Sequence, residues 1–360
     1  MKPIQRIILI SFSLLLNSCI TQFIPKTNED KKILVVEGLI TDQPDTNTIK
    51  LSKSFPLGTG SISVPVQGCN VTITDDFGNT FGLTETATGT YVTDPSKFQG
   101  IIGRFYTLHI NTNASNNNLN YQSYAMELKP VPPIDSVYYE KVTIQESNEF
   151  SAGMEGCQVY LNTHDPTNQC KFYRLEFSET WEYQLPFTTT NNICWVSSKS
   201  KEINIKNTSA FAEDRINRYP LNFISNITDR LRIKYSILVK QYSLNEDEYL
   251  YWEKLQNITE QVGGLYDIIP SSVPSNVYSL DNPNEKALGY FSVSASSSKR
   301  IFIKDHFAGV VTPYTNDACF VYSYIWVGNI SVKVGTLVKS CTDCTVRGTN
   351  TAPDFWIDDK

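Results

Sequence analysis

Short runs of alternating apolar and polar residues, each closed by turn residues, constrain this chain most. Val71-Thr72-Ile73-Thr74 runs into Asp75-Asp76-Phe77-Gly78-Asn79, and Thr48 to Ser54 alternates in the same way. A period of two puts every second side chain on one face, which suits a half-buried strand and not a helix. The composition agrees, with 20 Tyr, 18 Phe and 5 Trp beside abundant Val, Ile and Thr, the residues that pack well on a pleated surface. A mainly β fold is the expectation.

Followed along the chain, the pattern divides it. Ile33 to Ile40 reads as a buried strand, and further strands follow at Thr48 to Ser54, Val71 to Thr74, Phe81, Gly89 to Tyr91, Gly103 to Ile110 and Tyr121 to Leu128. About seven strands in about 100 residues imply an Ig-like or transthyretin-like β-sandwich over 32–129. Pro130-Val131-Pro132-Pro133 is the expected joint, because proline stiffens the chain and denies it ladder donors. A larger β-rich domain is expected over 134–345, with a tail at 346–360. One segment breaks the period. Leu244 to Thr259 has Asn245 as a cap, acids in the first turn and Leu250, Leu255 and Ile258 near helical spacing, so one amphipathic helix is expected near 245–261, stopping at Gly263-Gly264.

The first residues are read as an address. Lys2 and Arg6 precede an apolar stretch from Ile7 to Leu16, then Asn17-Ser18-Cys19. The stretch is shorter than the ~20 residues of a membrane span, and it fits a signal peptide over 1–18 of the bacterial lipoprotein type. Cys19 is then the lipidation site, and 19–31 the tether. Each buried CH2 of an acyl chain contributes about 0.8 kcal/mol, so two or three chains anchor a domain durably. A plain secretory signal ending near Ser18 is the other reading. Losing Lys2 and Arg6 with no acid moves the formal charge from −6 to −8. With no basic run longer than Lys31-Lys32 or Lys299-Arg300, nucleic acid is not an expected partner.

Export permits disulfides. The candidates are Cys157, Cys170, Cys194, Cys319, Cys341 and Cys344, with Cys69 as the expected free thiol. Cys341-Thr342-Asp343-Cys344 lacks a second CxxC and a nearby His, which argues against zinc. It also follows a strand-like run rather than opening a helix, which argues against a thioredoxin-like site. His109, His164 and His306 are the only histidines, and no nucleophile, Walker or metalloprotease motif accompanies them. Asp75 to Asn79 is read as a hairpin turn rather than a calcium loop. Glu176 with Glu179 or Glu182 is the only stretch that raises the paired carboxylates of a glycosidase. Trp181, Tyr183 and Trp195 are the candidate binding aromatics, set against core packing as the ordinary role of such rings. No cofactor is expected.

Several blocks in order carry a resemblance: Leu34-Val35-Val36-Glu37-Gly38, Val71 to Gly78 with Gly89-Thr90-Tyr91, Pro133-Ile134-Asp135-Ser136-Val137, Tyr251-Trp252-Glu253-Lys254-Leu255, Gly289-Tyr290-Phe291-Ser292-Val293, and Cys341 to Cys344 with Pro353-Asp354-Phe355-Trp356. Together they resemble the lipoprotein family labelled domain of unknown function 4249, from Bacteroidetes-type bacteria. The first part also resembles carboxypeptidase regulatory-like or transthyretin-like sandwiches. The resemblance implies an envelope protein found alongside TonB-dependent outer-membrane transporters. The expectation is therefore a non-enzymatic outer-membrane lipoprotein, a binding or accessory module whose partner is such a transporter. A glycan-binding lipoprotein that passes its ligand to the transporter is the alternative, and a cell-envelope hydrolase comes third. Ile20-Thr21-Gln22-Phe23-Ile24 carries no acid, which leaves the periplasmic and the cell-surface face both open.

Overall fold

A computed structural model describes residues 32–54, 63–113, 116, 118–144, 154–187, 189–260, 273–307, 310 and 319–356. The signal segment, Cys19, its tether and Gly263-Gly264 lie outside the described residues. In chain order the first strands are β1 (Leu34–Ile40), β2 (Thr48–Lys53), β3 (Val64–Pro65), β4 (Asn70–Asp75), β5 (Thr80–Gly82), β6 (Thr84–Ala87), β7 (Thr90–Val92), β8 (Phe105–Asn111), β9 (Asn120–Ser123) and β10 (Met126–Glu127). Next come β11 (Ile134–Ile144), β12 (Met154–Asp165), β13 (Phe172–Gln184), β14 (Ile193–Lys199), β15 (Asn204–Asn207), β16 (Asp214–Ser225) and β17 (Tyr235–Ser243). Helix α1 (Glu246–Glu260) precedes β18 (Val277–Ser279), β19 (Ala287–Val293), β20 (Ser296–Ile303), β21 (Phe320–Val327), β22 (Ile330–Leu337) and the single turn α2 (Lys339–Thr342). The fold is mainly β.

The first sandwich stacks the sheet β19-β1-β2-β7-β6, with β3 on β2, against β18-β9-β8-β4-β5, with β10 on β8. Alternation drives it. Val36, Ile40, Ile49, Leu51, Val71, Ile73, Leu108 and Ile110 all face one core and are almost wholly buried. The expected turn forms after β4. Gly78 takes φ +83°, and Asp75 Oδ1 accepts the N–H groups of Phe77 and Asn79 at 3.0 and 2.9 Å.

This sandwich does not end at residue 129. β18 pairs with β9, and β19 runs parallel to β1 from Leu34↔Ala287 to Ile40↔Val293. Residues 277–293, which the sequence reading placed in the second domain, complete the first. Gly289 permits the pairing: at φ +81°, a Cβ there would stand 2.0 Å from the Val36 carbonyl oxygen.

The second part packs β11-β12-β16 against β14-β13-β17-β20, with β15 on β13. Its core holds Val159, Leu161, Leu175, Ile237 and Val239. The proline joint is fastened rather than free. Gln241 Nε2 donates to the Pro132 carbonyl at 3.0 Å, and Ser243 Oγ donates to the Lys129 carbonyl at 2.6 Å.

Helix α1 forms where expected, with Leu255 and Ile258 half-buried, but Leu250 turns outward and a carboxylate takes the most buried place. Leu250 is 43 % exposed, while Glu248 is fully buried and Tyr251 and Trp252 are half-buried. Positions i, i+3 and i+4 share one helix face, and here that face is Glu248, Tyr251 and Trp252. Among the described residues, no helix is long and apolar enough to cross a membrane.

Candidate functional site

The structure first removes candidates. Trp181 and Tyr183 lie in the second core, 7 % and 2 % exposed. Trp195 is half-buried, its ring edge-on to Trp356 at 6.3 Å. Trp195 is covered because the tail folds back over β14, where Trp195 and Thr349 exchange backbone hydrogen bonds at 2.8 and 3.0 Å.

Cys194 bonds Cys344, and Cys319 bonds Cys341, each with Cα atoms 5.7 Å apart. The two cysteines of the CxxC therefore belong to different bridges. Cys157 and Cys170 are not bridged, contrary to expectation, and Cys69 is free as expected. Cys157 packs in the second core and Cys170 in a small cluster with Tyr173 and Ile216. Burial pushes the Cys157 and Cys170 thiols up to about 12, which keeps them protonated and unreactive.

The carboxylates of β13 are kept apart by the strand itself. Glu176 and Glu179 differ by an odd number of positions and point to opposite faces, while Glu176 and Glu182 are about 20 Å apart at ~3.4 Å per residue. Glu179 is consumed by Arg230, at 3.0 Å, and by the Tyr235 hydroxyl, at 2.6 Å. The histidines are dispersed. His109 Nε2 meets Thr74 Oγ1 at 2.8 Å, and burial lowers its pKa. His164 Nδ1 meets Asp135 Oδ2 at 2.6 Å, and the His306 N–H donates to Asp305. Among the described residues, no group of three or more His, Cys, Asp or Glu is placed to hold a metal ion.

Two features remain, and sequence reasoning singled out neither. The first is a cleft of about 380 Å³ between the sandwich and the second part. Its floor is the outward face of β2, β1 and β19. Register places Lys50, Glu37 and Tyr290 in one row across these strands, and Thr48, Leu39 and Ser292 in the next. Arg174 and Glu176 of β13 and Tyr251 and Trp252 of α1 form the wall.

The wall is held by charge and ring contacts. Arg174 pairs with Glu176 at 3.0 Å, and its Cζ lies 4.6 Å from the Trp252 centroid and 5.1 Å from that of Tyr242. The Tyr251 and Tyr290 rings are 4.7 Å apart. Glu248 Oε1 accepts from Trp252 Nε1 at 3.2 Å; among the described residues Oε2 makes no hydrogen bond of normal geometry, with the Ser292 side chain as its polar neighbour. Burial pushes the Glu248 carboxyl upward against the pull of Arg174.

The second feature is the β21–β22 ribbon. Its strands pair from Phe320↔Leu337 to Val327↔Ile330, and every residue in them is exposed except Phe320 and Val334. Alternation gives it one aliphatic face (Val321, Ile325, Val327, Ile330, Val332) and one aromatic face (Phe320, Tyr322, Tyr324, Trp326). Trp326 is 73 % exposed. Lys333 is the only charged residue from 320 to 337, and its Nζ lies 3.7 Å over the Tyr322 ring. The Cys319–Cys341 bridge closes the base. The sequence carries a signal for it, a long apolar run with almost no charge.

No curated protein matches this chain. A family model does match, over residues 20–300. That range takes in the floor and the wall of the cleft and stops short of the ribbon and of the block from Cys341 to Trp356 that the resemblance includes. By this match the chain belongs to the family described as domain of unknown function (DUF4249).

Proposed function

We propose that the protein is a lipid-anchored, non-enzymatic binding module of the outer membrane that docks a protein partner, a TonB-dependent transporter, through the β21–β22 ribbon. The exposed ribbon carries this reading. An isolated two-stranded ribbon is marginal in water, and soluble proteins rarely leave so large an apolar patch uncovered.

A protein suits the ribbon better than lipid does. Eight residues per strand span about 27 Å, but among the described residues neither outer edge has a strand partner, and the hydrocarbon core does not tolerate unpaired N–H and C=O groups. A partner that adds a strand to an edge and apolar pockets to the faces satisfies both demands. The Cys19 anchor would hold the module at the membrane where such barrels reside.

The test is co-purification of a large β-barrel with the detergent-solubilised lipoprotein. The parent should bring the barrel down, and a variant with Tyr324→Ser, Trp326→Ser and Ile330→Ser should not. Repeated absence of a barrel with the parent, or retention by the triple variant, would sink the docking reading. The anchor is tested separately. Globomycin should cause the precursor to accumulate, and Cys19→Ala should release the chain from membranes.

A further inference from the structure

We propose that the cleft between the β2–β1–β19 floor and the β13–α1 wall binds a neutral carbohydrate of one or two rings. This does not depend on ribbon docking. It also uses none of the rings that the sequence singled out for glycans.

Size and shape come first. About 380 Å³ lies within the ~300–1,000 Å³ of small-molecule sites, and the space opens between two layers fastened to each other. Gln43 Nε2 donates to the Ser296 carbonyl at 3.0 Å, the Ser296 N–H donates to Asp42 at 2.8 Å, and Asn245 Nδ2 donates to the Glu127 carbonyl at 3.0 Å. A cleft braced on both sides is largely pre-formed, which lowers the ordering cost of binding.

The chemistry of the lining selects the ligand class. Tyr251 and Trp252, both half-buried, and Tyr290 supply aromatic surface, which favours a ligand with an apolar face. Glu37 and Lys50 supply the polar part. They are direct cross-strand neighbours on the floor, both exposed, with Cβ atoms about 5 Å apart by strand geometry. Neither enters a salt bridge among the described residues. A carboxylate that only accepts, next to an ammonium that only donates, matches vicinal hydroxyls, each able to give one hydrogen bond and take another.

Charge narrows the class further. Glu37 and Lys50 offset each other, and Arg174 is already paired with Glu176 and faces the neighbouring Glu248 carboxyl. A cleft balanced in this way gives no advantage to a strongly anionic or cationic ligand. A sugar ring has the required apolar C–H face and rim of hydroxyls without a net charge.

Isothermal titration calorimetry on the full mature chain tests this, with maltose, cellobiose, lactose, mannobiose and chitobiose at millimolar concentrations as probes. At least one should bind saturably, and Tyr251→Ala or Lys50→Met should each weaken it about tenfold, a loss of about 1.4 kcal/mol. Lys50 is exposed, so Lys50→Met should keep the parental urea midpoint and separate loss of binding from loss of fold. Failure of all five sugars overturns the proposal, as does binding that survives both substitutions. Tyrosine and a zwitterionic dipeptide serve as competitors, and saturable binding of either in place of the sugars would also overturn it. The triple ribbon variant should bind sugar as the parent does, so the two readings fail independently.

Discussion

The β13–β14 hairpin and the β21–β22 hairpin carry nearly the same pattern and meet opposite fates. Both alternate aromatic with polar or aliphatic residues, Trp181-Glu182-Tyr183 in one and Tyr322-Ser323-Tyr324-Ile325-Trp326 in the other. In the first, β17 covers the free edge of β13 and a second sheet covers the inner face. In the second, the sheet has two strands among the described residues. The same residues therefore supply a core in one place and an uncovered surface in the other. Local alternation specifies a strand; what lies across from it decides whether its rings stabilise the fold or wait for a partner.

The disulfides give the largest way to test that contrast. Cys194–Cys344 spans 150 residues and ties the tail to the second core, whereas Cys319–Cys341 spans 22 and only closes the ribbon base. In the chain-entropy account, the longer loop is worth about 5 kcal/mol and the shorter about 3. Cys194→Ser with Cys344→Ser should lower the unfolding free energy of the body by about that larger amount, read by urea denaturation. Cys319→Ser with Cys341→Ser should leave the body's midpoint nearly unmoved and increase proteolysis within 320–337. Equal losses from the two pairs would mean that the ribbon is packed on the body after all.

Trp181→Ala comes next, with an expected cost of about 3–5 kcal/mol, the usual range for emptying a buried aromatic site. A loss below ~1 kcal/mol, the size of an ordinary surface change, would place Trp181 outside the core and revive it as a binding ring.

The contrast explains what could be read from the chain beforehand. The turn at Asp75 to Asn79, the existence of α1 and the first sandwich were legible, because backbone chemistry and side-chain period act over a few residues. The return of β19 to β1 was not. Gly289-Tyr290-Phe291-Ser292-Val293 reads as a strand wherever it pairs, and its partner lies some 250 residues away in sequence. Disulfide partners were hidden for the same reason. Helix α1 was legible in part: Leu255 and Ile258 are half-buried as their spacing implies, but Leu250 faces out and the fully buried member is a carboxylate, Glu248, beside Trp252 and Arg174. The cleft could not be read at all. Its floor is made by β1, β2 and β19, its wall by β13 and α1, and only tertiary pairing brings them together.

Titration sharpens the comparison on a smaller scale, since the body buries a carboxyl and the ribbon has only Lys333. Burial raises the folded-state pKa of Glu248. Its contribution to stability is therefore full below the unfolded carboxyl value of about 4.3 and is lost as pH rises through the raised folded value. Glu248→Gln removes that loss. At neutral pH the variant should be more stable than the parent by about 1 kcal/mol, the scale of an unsatisfied buried polar group, and the gap should close below pH ~4. Urea midpoints across this range check it. A variant less stable than the parent at neutral pH would show that attraction to Arg174 outweighs burial.

The smallest expected effect is the one that most directly separates the two hairpins. Trp326→Ala removes a ring with little to pack against, so the unfolding free energy should stay within about 0.5 kcal/mol of the parent. Removing exposed apolar area should instead lower the tendency of the detergent-free protein to self-associate, measured by sedimentation velocity over a concentration series. Trp181→Ala should do the reverse, losing stability and gaining association as core residues become exposed. The opposite signs matter more than either magnitude. If Trp326→Ala cost as much stability as Trp181→Ala, the ribbon would belong to a core of this chain, and no partner would be needed to explain its apolar faces.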